Sequence, residues 1–457
     1  MSQEAQTAAG ATGAGRQRRL ALIAVCGLVL SSLFVIVHPH AAGAAGRPPG
    51  ERWVGGEHGV GGEHWVGSWT ASPTDAITPF DAAFMPVPEL LVDQTLRMIV
   101  TPHLGGTILR VHLSNRFGSS AATFGDVTIG REQADGVSAI TPVTFGGSSA
   151  VTVAAGADVT SDPVDLAFSA FQPLAVSIYL PGIQGPPTKH WNANATSFYS
   201  PAFSGDLSET ASDWAFSLKT EAWLYVDGID VQAPLATTAV VAFGDSITDG
   251  FVAANPFSVP VSLSVADKNG RYPDDLQRLV DSGQLPYSVV NAGIGSNQLL
   301  TSGEPLFLGP SGLERFQQDA LDVAGVKDVI LLEGINDIGL PGTTTTPSEL
   351  IAGYEQAISM AHAAGVKIWL GTITPASNAI FDGTLLSPNS ETYRQQVNAW
   401  IRTQRLSDGI VDFDAALRDP SDPTILNPAY AGPDNLHPNL LGYQVMAAAA
   451  YAALFGQ

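Results

Sequence analysis

Near residue 235 the spacing of apolar residues changes, and this divides the chain into two parts that must fold differently. From about residue 67 to 233 apolar and polar positions alternate. Leu109, Val111 and Leu113 interleave with Arg110, His112 and Ser114, and Leu174, Val176, Ile178 and Leu180 with Ala175, Ser177 and Tyr179. A period of two sends successive side chains to opposite faces, so these runs read as strands half buried against a second layer. Pairs at Gly105-Gly106, Gly146-Gly147 and Pro181-Gly182 read as the turns between them. An antiparallel β-sandwich over residues 67–233 is the expectation.

From residue 234 to 457 short continuous apolar runs replace the alternation. Thr238–Phe243, Ser288–Ala292, Val329–Glu333, Lys367–Thr372 and Ile410–Phe413 have the composition of strands buried on both faces. Between or after them, Pro273–Ser282, Gly312–Val323, Ser348–Ala364, Ser390–Arg405 and Asn439–Leu454 have helical length and spacing. Strand and helix in turn predict an α/β domain with a doubly wound parallel five-stranded sheet, and a site at the carboxyl ends of its strands.

The 457 residues suffice for both domains and a leader. Arg16, Arg18 and Arg19 precede an uncharged apolar run from Leu20 to Val37, and small residues follow at Ala42-Gly43-Ala44. That order is the pattern of an export signal, so residues 1–44 are expected to be cleaved and the protein secreted. The alternative is a retained anchor, because the run is barely long enough to span a bilayer. The one cysteine, Cys26, lies in that run, which leaves the processed chain neither a disulfide nor a thiol nucleophile. Residues 45–66 are Gly-rich with a short duplication and read as a linker. His58 and His64 within it have no neighbours to fix metal geometry.

A net charge of −22 argues against a nucleic-acid partner and against adsorption to anionic membranes. No stable membrane association is expected once the signal is removed. Asn194-Ala195-Thr196 fits a glycosylation triplet, but such triplets arise often by chance.

Four short segments carry chemistry. Ser246 stands in Gly244-Asp245-Ser246-Ile247-Thr248, directly after the first apolar strand, where a turn into a helix would lift its hydroxyl above the sheet edge. A hydroxyl needs a base before it attacks a carbonyl. Asn291-Ala292-Gly293 ends the second strand and Gly334-Ile335-Asn336-Asp337 follows the third. A glycine amide and an asparagine side chain are donors that can face a developing oxyanion. In Asp434-Asn435-Leu436-His437-Pro438 a carboxylate three residues before a histidine can bond one ring nitrogen and aim the other at the serine. Taken singly, each segment has a plainer reading as a turn or a cap.

Together, and in this order, the four segments resemble the SGNH hydrolase superfamily, the GDSL esterases and lipases, over about residues 236–455. The resemblance implies an SGNH, flavodoxin-like fold and a triad of Ser246, Asp434 and His437. It also implies an oxyanion hole made by the amides of Ser246 and Gly293 and the side chain of Asn336. Neither metal nor cofactor is implied. Trp65-Val66-Gly67-Ser68-Trp69, Thr95-Leu96-Arg97 and Leu109–Asn115 resemble the N-terminal part of large exported actinobacterial members, which in turn resemble esterases encoded near polysaccharide-degrading enzymes.

The expected activity is therefore hydrolysis of a small-molecule or polysaccharide ester, with a short acyl or acetyl group. A lipase or phospholipase for long acyl chains is the first alternative, for which Phe251–Lys268 offers a possible pocket wall. A carbohydrate-binding module with a silent hydrolase domain is the second.

Overall fold

Two antiparallel sheets stack face to face over the first half of the chain. This is a computed structural model, and it describes residues 62–76, 87–259, 265–303 and 309–456, all within one compact unit, Val54–Gln457. The expected export signal, residues 1–44, lies outside the described residues, as does His58. No helix among the described residues is long and apolar enough to cross a membrane.

One sheet runs Glu63–Thr70, Val226–Pro234, Gly106–Ser114 and Asp158–Thr160, with Val164–Phe168 also paired to Gly106–Ser114. The other has six strands in the order Leu218–Thr220, Ser197–Tyr199, Leu91–Val100, Leu174–Gln184, Asp126–Gln133 and Gly136–Pro142. Leu109, Val111 and Leu113 from the first sheet and Leu174, Val176, Ile178 and Leu180 from the second share one core. The alternation in the sequence is thus the inward face of a sandwich.

Two boundaries differ from expectation. Glu63–Thr70 is a strand paired residue by residue with Val226–Pro234, so Glu63 to Val66 belong to the sandwich and not to a linker. His64 there bonds the Thr237 carbonyl oxygen at 2.8 Å, a structural contact that glycine-rich neighbours concealed. Pro181-Gly182 is not a turn either. Strand Leu174–Gln184 runs through it, and its register with Leu91–Val100 slips between Leu180 and Ile183 as a bulge.

In the second half a parallel sheet holds β1 (Thr238–Gly244), β2 (Tyr287–Gly293), β3 (Val326–Leu332), β4 (Lys367–Gly371) and β5 (Gly409–Val411) in the order β2-β1-β3-β4-β5. The helices are α1 (Ser246–Asp249), α2 (Tyr272–Ser282), α3 (Gly312–Phe316), α4 (Ile335–Gly339), α5 (Pro347–Ala363), α6 (Ser390–Thr403), α7 (Phe413–Leu417) and α8 (Leu440–Phe455). Val241, Phe243, Val329 and Leu331 face α5 and α6, while Val240, Ala242, Ile330 and Leu332 face α2 and α8. Helices on both faces bury every second residue on each side, which is why these strands read as unbroken apolar runs.

β3 starts at Val326, three residues before its apolar run. Lys327 and Asp328 hid its start, and Asp328 accepts the Trp369 indole N–H at 3.0 Å. The helix expected over Gly312–Val323 is α only to Phe316 and continues as a π turn over Gln317–Leu321.

The sandwich docks on β2 and on the turn before β3. Gly67 N–H donates to Ala324 O at 2.9 Å, Ser288 Oγ to Gly67 O at 2.7 Å, and Thr70 Oγ1 to Asn291 O at 2.7 Å. His103 lies 2.6 Å from Val289 O through Nδ1 and 3.1 Å from Asp274 Oδ1 through Nε2.

Candidate active site

β1 ends on Gly244, where a methyl group would overlap the Thr248 side chain and the Leu332 carbonyl. Asp245 then caps α1, its Oδ1 accepting Ile247 N–H at 2.9 Å. Gly250, at φ +87°, ends the helix after one turn. Ser246 is the first residue of that turn, so its amide has no acceptor within the helix.

At the other end of the domain, Asp434 folds its own turn. Oδ1 accepts Leu436 N–H at 3.2 Å and His437 N–H at 3.1 Å, while Oδ2 lies 2.6 Å from His437 Nδ1. A carboxylate acceptor makes Nδ1 the donor and leaves Nε2 to accept. Nε2 lies 2.8 Å from Ser246 Oγ, so hydroxyl, imidazole and carboxylate form one relay across 191 residues of sequence. Burial works to raise the Asp434 carboxyl, but the His437 charge and hydrogen bond and the two backbone amides outweigh it, and the net effect is to hold it below the usual aspartate value. It therefore stays ionised.

Asn336 is the second residue of α4 and donates through Nδ2 to Asn297 O at 2.8 Å, which fixes the amide plane and leaves its second N–H for another acceptor. Gly293 departs from expectation. Its amide donates to Asn291 Oδ1 at 2.8 Å, so it does not face an oxyanion. A methyl group at Gly293 would overlap the Asp249 amide. The glycine is there so that α1 can pack on the end of β2. In the same loop Ser296 is half-buried with φ +61°, a left-handed conformation unusual for serine.

Other residues complete the site, two of them within the Phe251–Lys268 segment read as a possible pocket wall. Ser258 donates to Asp434 Oδ2 at 3.0 Å. Phe251 packs against the His437 ring, with centres 4.5 Å apart and planes inclined at 46°. Arg315 lies beneath the sheet edge with its guanidinium 3.8 Å from the Phe243 ring centre. It donates to Ala292 O at 2.7 Å, Gly244 O at 2.9 Å and Asn297 Oδ1 at 2.8 Å, and meets Glu333 Oε1 at 3.3 Å. One cation thus ties the end of β1 to the loop after β2. A run read for apolar spacing gives no hint of an inward arginine.

Around it sit carboxyls pressed toward their neutral forms. Burial pushes Asp245 up to about 7, against the pull of the Ile247 amide and the charges of His437 and Arg315. Burial likewise lifts Asp337 to about 6 although its oxygens accept the Leu299 and Leu300 amides. Glu333 is raised well above the ordinary range, by burial first and by Asp245 second.

A buried hydroxyl, imidazole and carboxylate in line, with a free helix amide and an oriented asparagine at the carboxyl edge of a doubly wound sheet, are the parts of a carboxylic ester hydrolase. Residues 242–445 match the model of the GDSL-like lipase/acylhydrolase family, and the α/β domain of this chain belongs to that family. No curated protein matches the chain.

Solved structures similar to it include a carbohydrate acetylesterase from Sinorhizobium meliloti, 14% identical, covering 47% of this chain and 96% of that one, with a TM-score of 0.35. The inhibitor-bound aryl esterase of M. smegmatis is 13% identical and covers 47% and 96%, with a TM-score of 0.37. A GDSL-like lipase from Bacteroides thetaiotaomicron is 15% identical and covers 47% and 85%, with a TM-score of 0.32.

Proposed function

We propose that the protein is an exported serine esterase for carboxylic esters with short acyl groups, such as acetyl on a carbohydrate or a small alcohol. The observation that carries this reading is the relay from Ser246 Oγ to His437 Nε2 at 2.8 Å and from Nδ1 to Asp434 at 2.6 Å.

Ser246 Oγ attacks the ester carbonyl carbon as its proton passes to His437 Nε2. The carbonyl oxygen becomes an oxyanion that accepts the Ser246 amide and the second N–H of Asn336. The amide of Ser296, in the loop that ends at the Asn336 contact, takes the role first expected of Gly293. The C–O bond to the alcohol then breaks, and the leaving oxygen takes the proton from His437. Water attacks the acyl-enzyme, gives its proton to the same nitrogen, and releases the acid as Ser246 regains its own.

A short acyl group is favoured by crowding: Phe251 packs against His437, and Ser246 and His437 are both buried. The test is a series of nitrophenyl esters from acetyl to palmitoyl with acetylated sugars, and labelling by a serine-reactive fluorophosphonate with the modified residue mapped. Rates that fall with chain length and a label on Ser246 are expected. A label elsewhere would overturn the mechanism, and faster turnover of long chains would make the enzyme a lipase.

A further inference from the structure

A segment of the sandwich reaches across to the turn that carries Ser246. It consists of the short strand Lys189–His190 and the residues that follow it. His190 Nε2 lies 3.1 Å from Asp249 Oδ1, and Asn192 Nδ2 donates to Asp249 Oδ2 at 3.0 Å. Asp249 is the last residue of α1, so both oxygens of its carboxylate are held from outside the α/β domain. Asn194 Nδ2 donates to Gly250 O at 2.9 Å, which fixes the cap of the same turn and occupies the amide of the glycosylation triplet. His190 is in turn tied through Nδ1 to Ser72 O at 2.8 Å, within the sandwich.

Trp191 lies between these contacts and is buried. Its ring centre is 6.3 Å from that of Phe251, the residue packed against His437. Its Cζ2 edge lies against Gly295, where a methyl group would overlap the indole. The same loop continues through Ser296 to Asn297, whose carbonyl orients Asn336. One indole therefore touches both the partner of the general base and the loop that steers the oxyanion donor.

A helix of four residues has almost no stability of its own, because forming a first turn fixes several dihedrals for one hydrogen bond. Its placement has to come from tertiary contacts. Proton transfer and attack tolerate errors of well under an ångström, so a small drift of α1 would slow chemistry far more than it would weaken substrate binding.

We propose that Trp191 is a positioning residue for ester hydrolysis. With the His190 and Asn192 clamp on Asp249, it holds the Ser246 turn, Phe251 with His437, and the Gly295–Ser296 loop in one arrangement. The sandwich is then a working part of the active site and not a separate binding module. This inference rests on Ser246 being the nucleophile.

The test uses the full chain with Trp191→Ala and Trp191→Phe. Steady-state kinetics on nitrophenyl acetate, the rate of fluorophosphonate labelling and the thermal midpoint are measured for each. Trp191→Ala should lower kcat and the labelling rate by about tenfold or more, with KM changed by less than about threefold. Trp191→Phe should restore most of both.

Folded variants with unchanged kcat and labelling would overturn the proposal. So would a Phe variant as defective as the Ala variant, with losses that merely follow the unfolded fraction. If Trp191→Ala does not fold, Asn192→Ala decides: labelling slowed about threefold or more at an unchanged melting temperature supports the clamp, and unchanged labelling refutes it. Wild-type protein that takes no label at Ser246 would refute the nucleophile assignment itself, and the two failures are thereby told apart.

Discussion

The two halves of the active site are built by opposite means. Asp434 and His437 are held by a turn that closes on itself, with one carboxylate oxygen bonding two amides and the other bonding the ring, all within four residues. Ser246 sits on a single helical turn whose position depends on Arg315, His190, Asn192 and the side chain of Asp245. The acid-base half takes most of its bonds from its own turn, with Ser258 as a distant hydrogen-bond donor, whereas the nucleophile half takes most of its support from segments outside its turn. Damage far from the chemistry should therefore reach Ser246 before it reaches His437.

The sharpest break of this contrast is at the nucleophile. Ser246→Ala should reduce ester hydrolysis by about 10⁴-fold or more while the melting temperature stays within a few degrees, because a turn serine adds little to the core. Unfolding on that substitution would mean the hydroxyl is structural.

Arg315→Met probes the distant support. It leaves the buried oxygens of Ala292, Gly244 and Asn297 without their donor and frees the ends of β1 and β2, so a loss of about 3 kcal/mol or more is expected from denaturant unfolding. An unchanged midpoint would show that the sheet edge does not need the guanidinium. Asn336→Ala should lower kcat by about 10²-fold with a smaller effect on KM, as for a donor used in the transition state. An unaltered kcat would remove Asn336 from the oxyanion site.

A pH test addresses the buried carboxyls on the nucleophile side. Asp337 titrates near 6 in the folded chain and near 3.8 when unperturbed. The unfolded state gives up that proton first, so stability falls as pH rises from about 4 through about 6. Asp337→Asn removes the titration, and the wild-type lead over the variant should shrink by roughly 2 kcal/mol between about pH 4 and about pH 7. A gap independent of pH would show that Asp337 is not held protonated. The smallest effect is expected from Ser258→Ala, which takes one neutral hydrogen bond from Asp434. A loss of about fivefold in kcat corresponds to about 1 kcal/mol, and a much larger loss would mean that the acid-base half also depends on distant support.

What could be read in advance follows the same division. The alternating and continuous apolar runs are direct consequences of which faces are buried, so the sandwich and the parallel sheet were both legible in the spacing of residues such as Leu109 and Val241. Asp434 and His437 were legible because their geometry closes within a pentapeptide. Gly293 was misassigned because a glycine at a strand end reads the same whether it donates an amide or makes room for a helix, and only the position of Asn291 separates the two. Arg315 and Trp191 gave no signal, and Ser258 only that of lying in the Phe251–Lys268 segment, since each acts on residues dozens to more than a hundred positions away and no local pattern marks a side chain that turns inward.

β2 is the outer strand of its sheet, and such a strand ordinarily offers its backbone to any stray chain of suitable shape. Here the carbonyl oxygens of Val289 and Asn291 are met by His103 and Thr70. Side chains in place of a neighbouring strand blunt the border against intermolecular pairing, so the first half of the molecule also shields the second from joining into ribbons with its own copies.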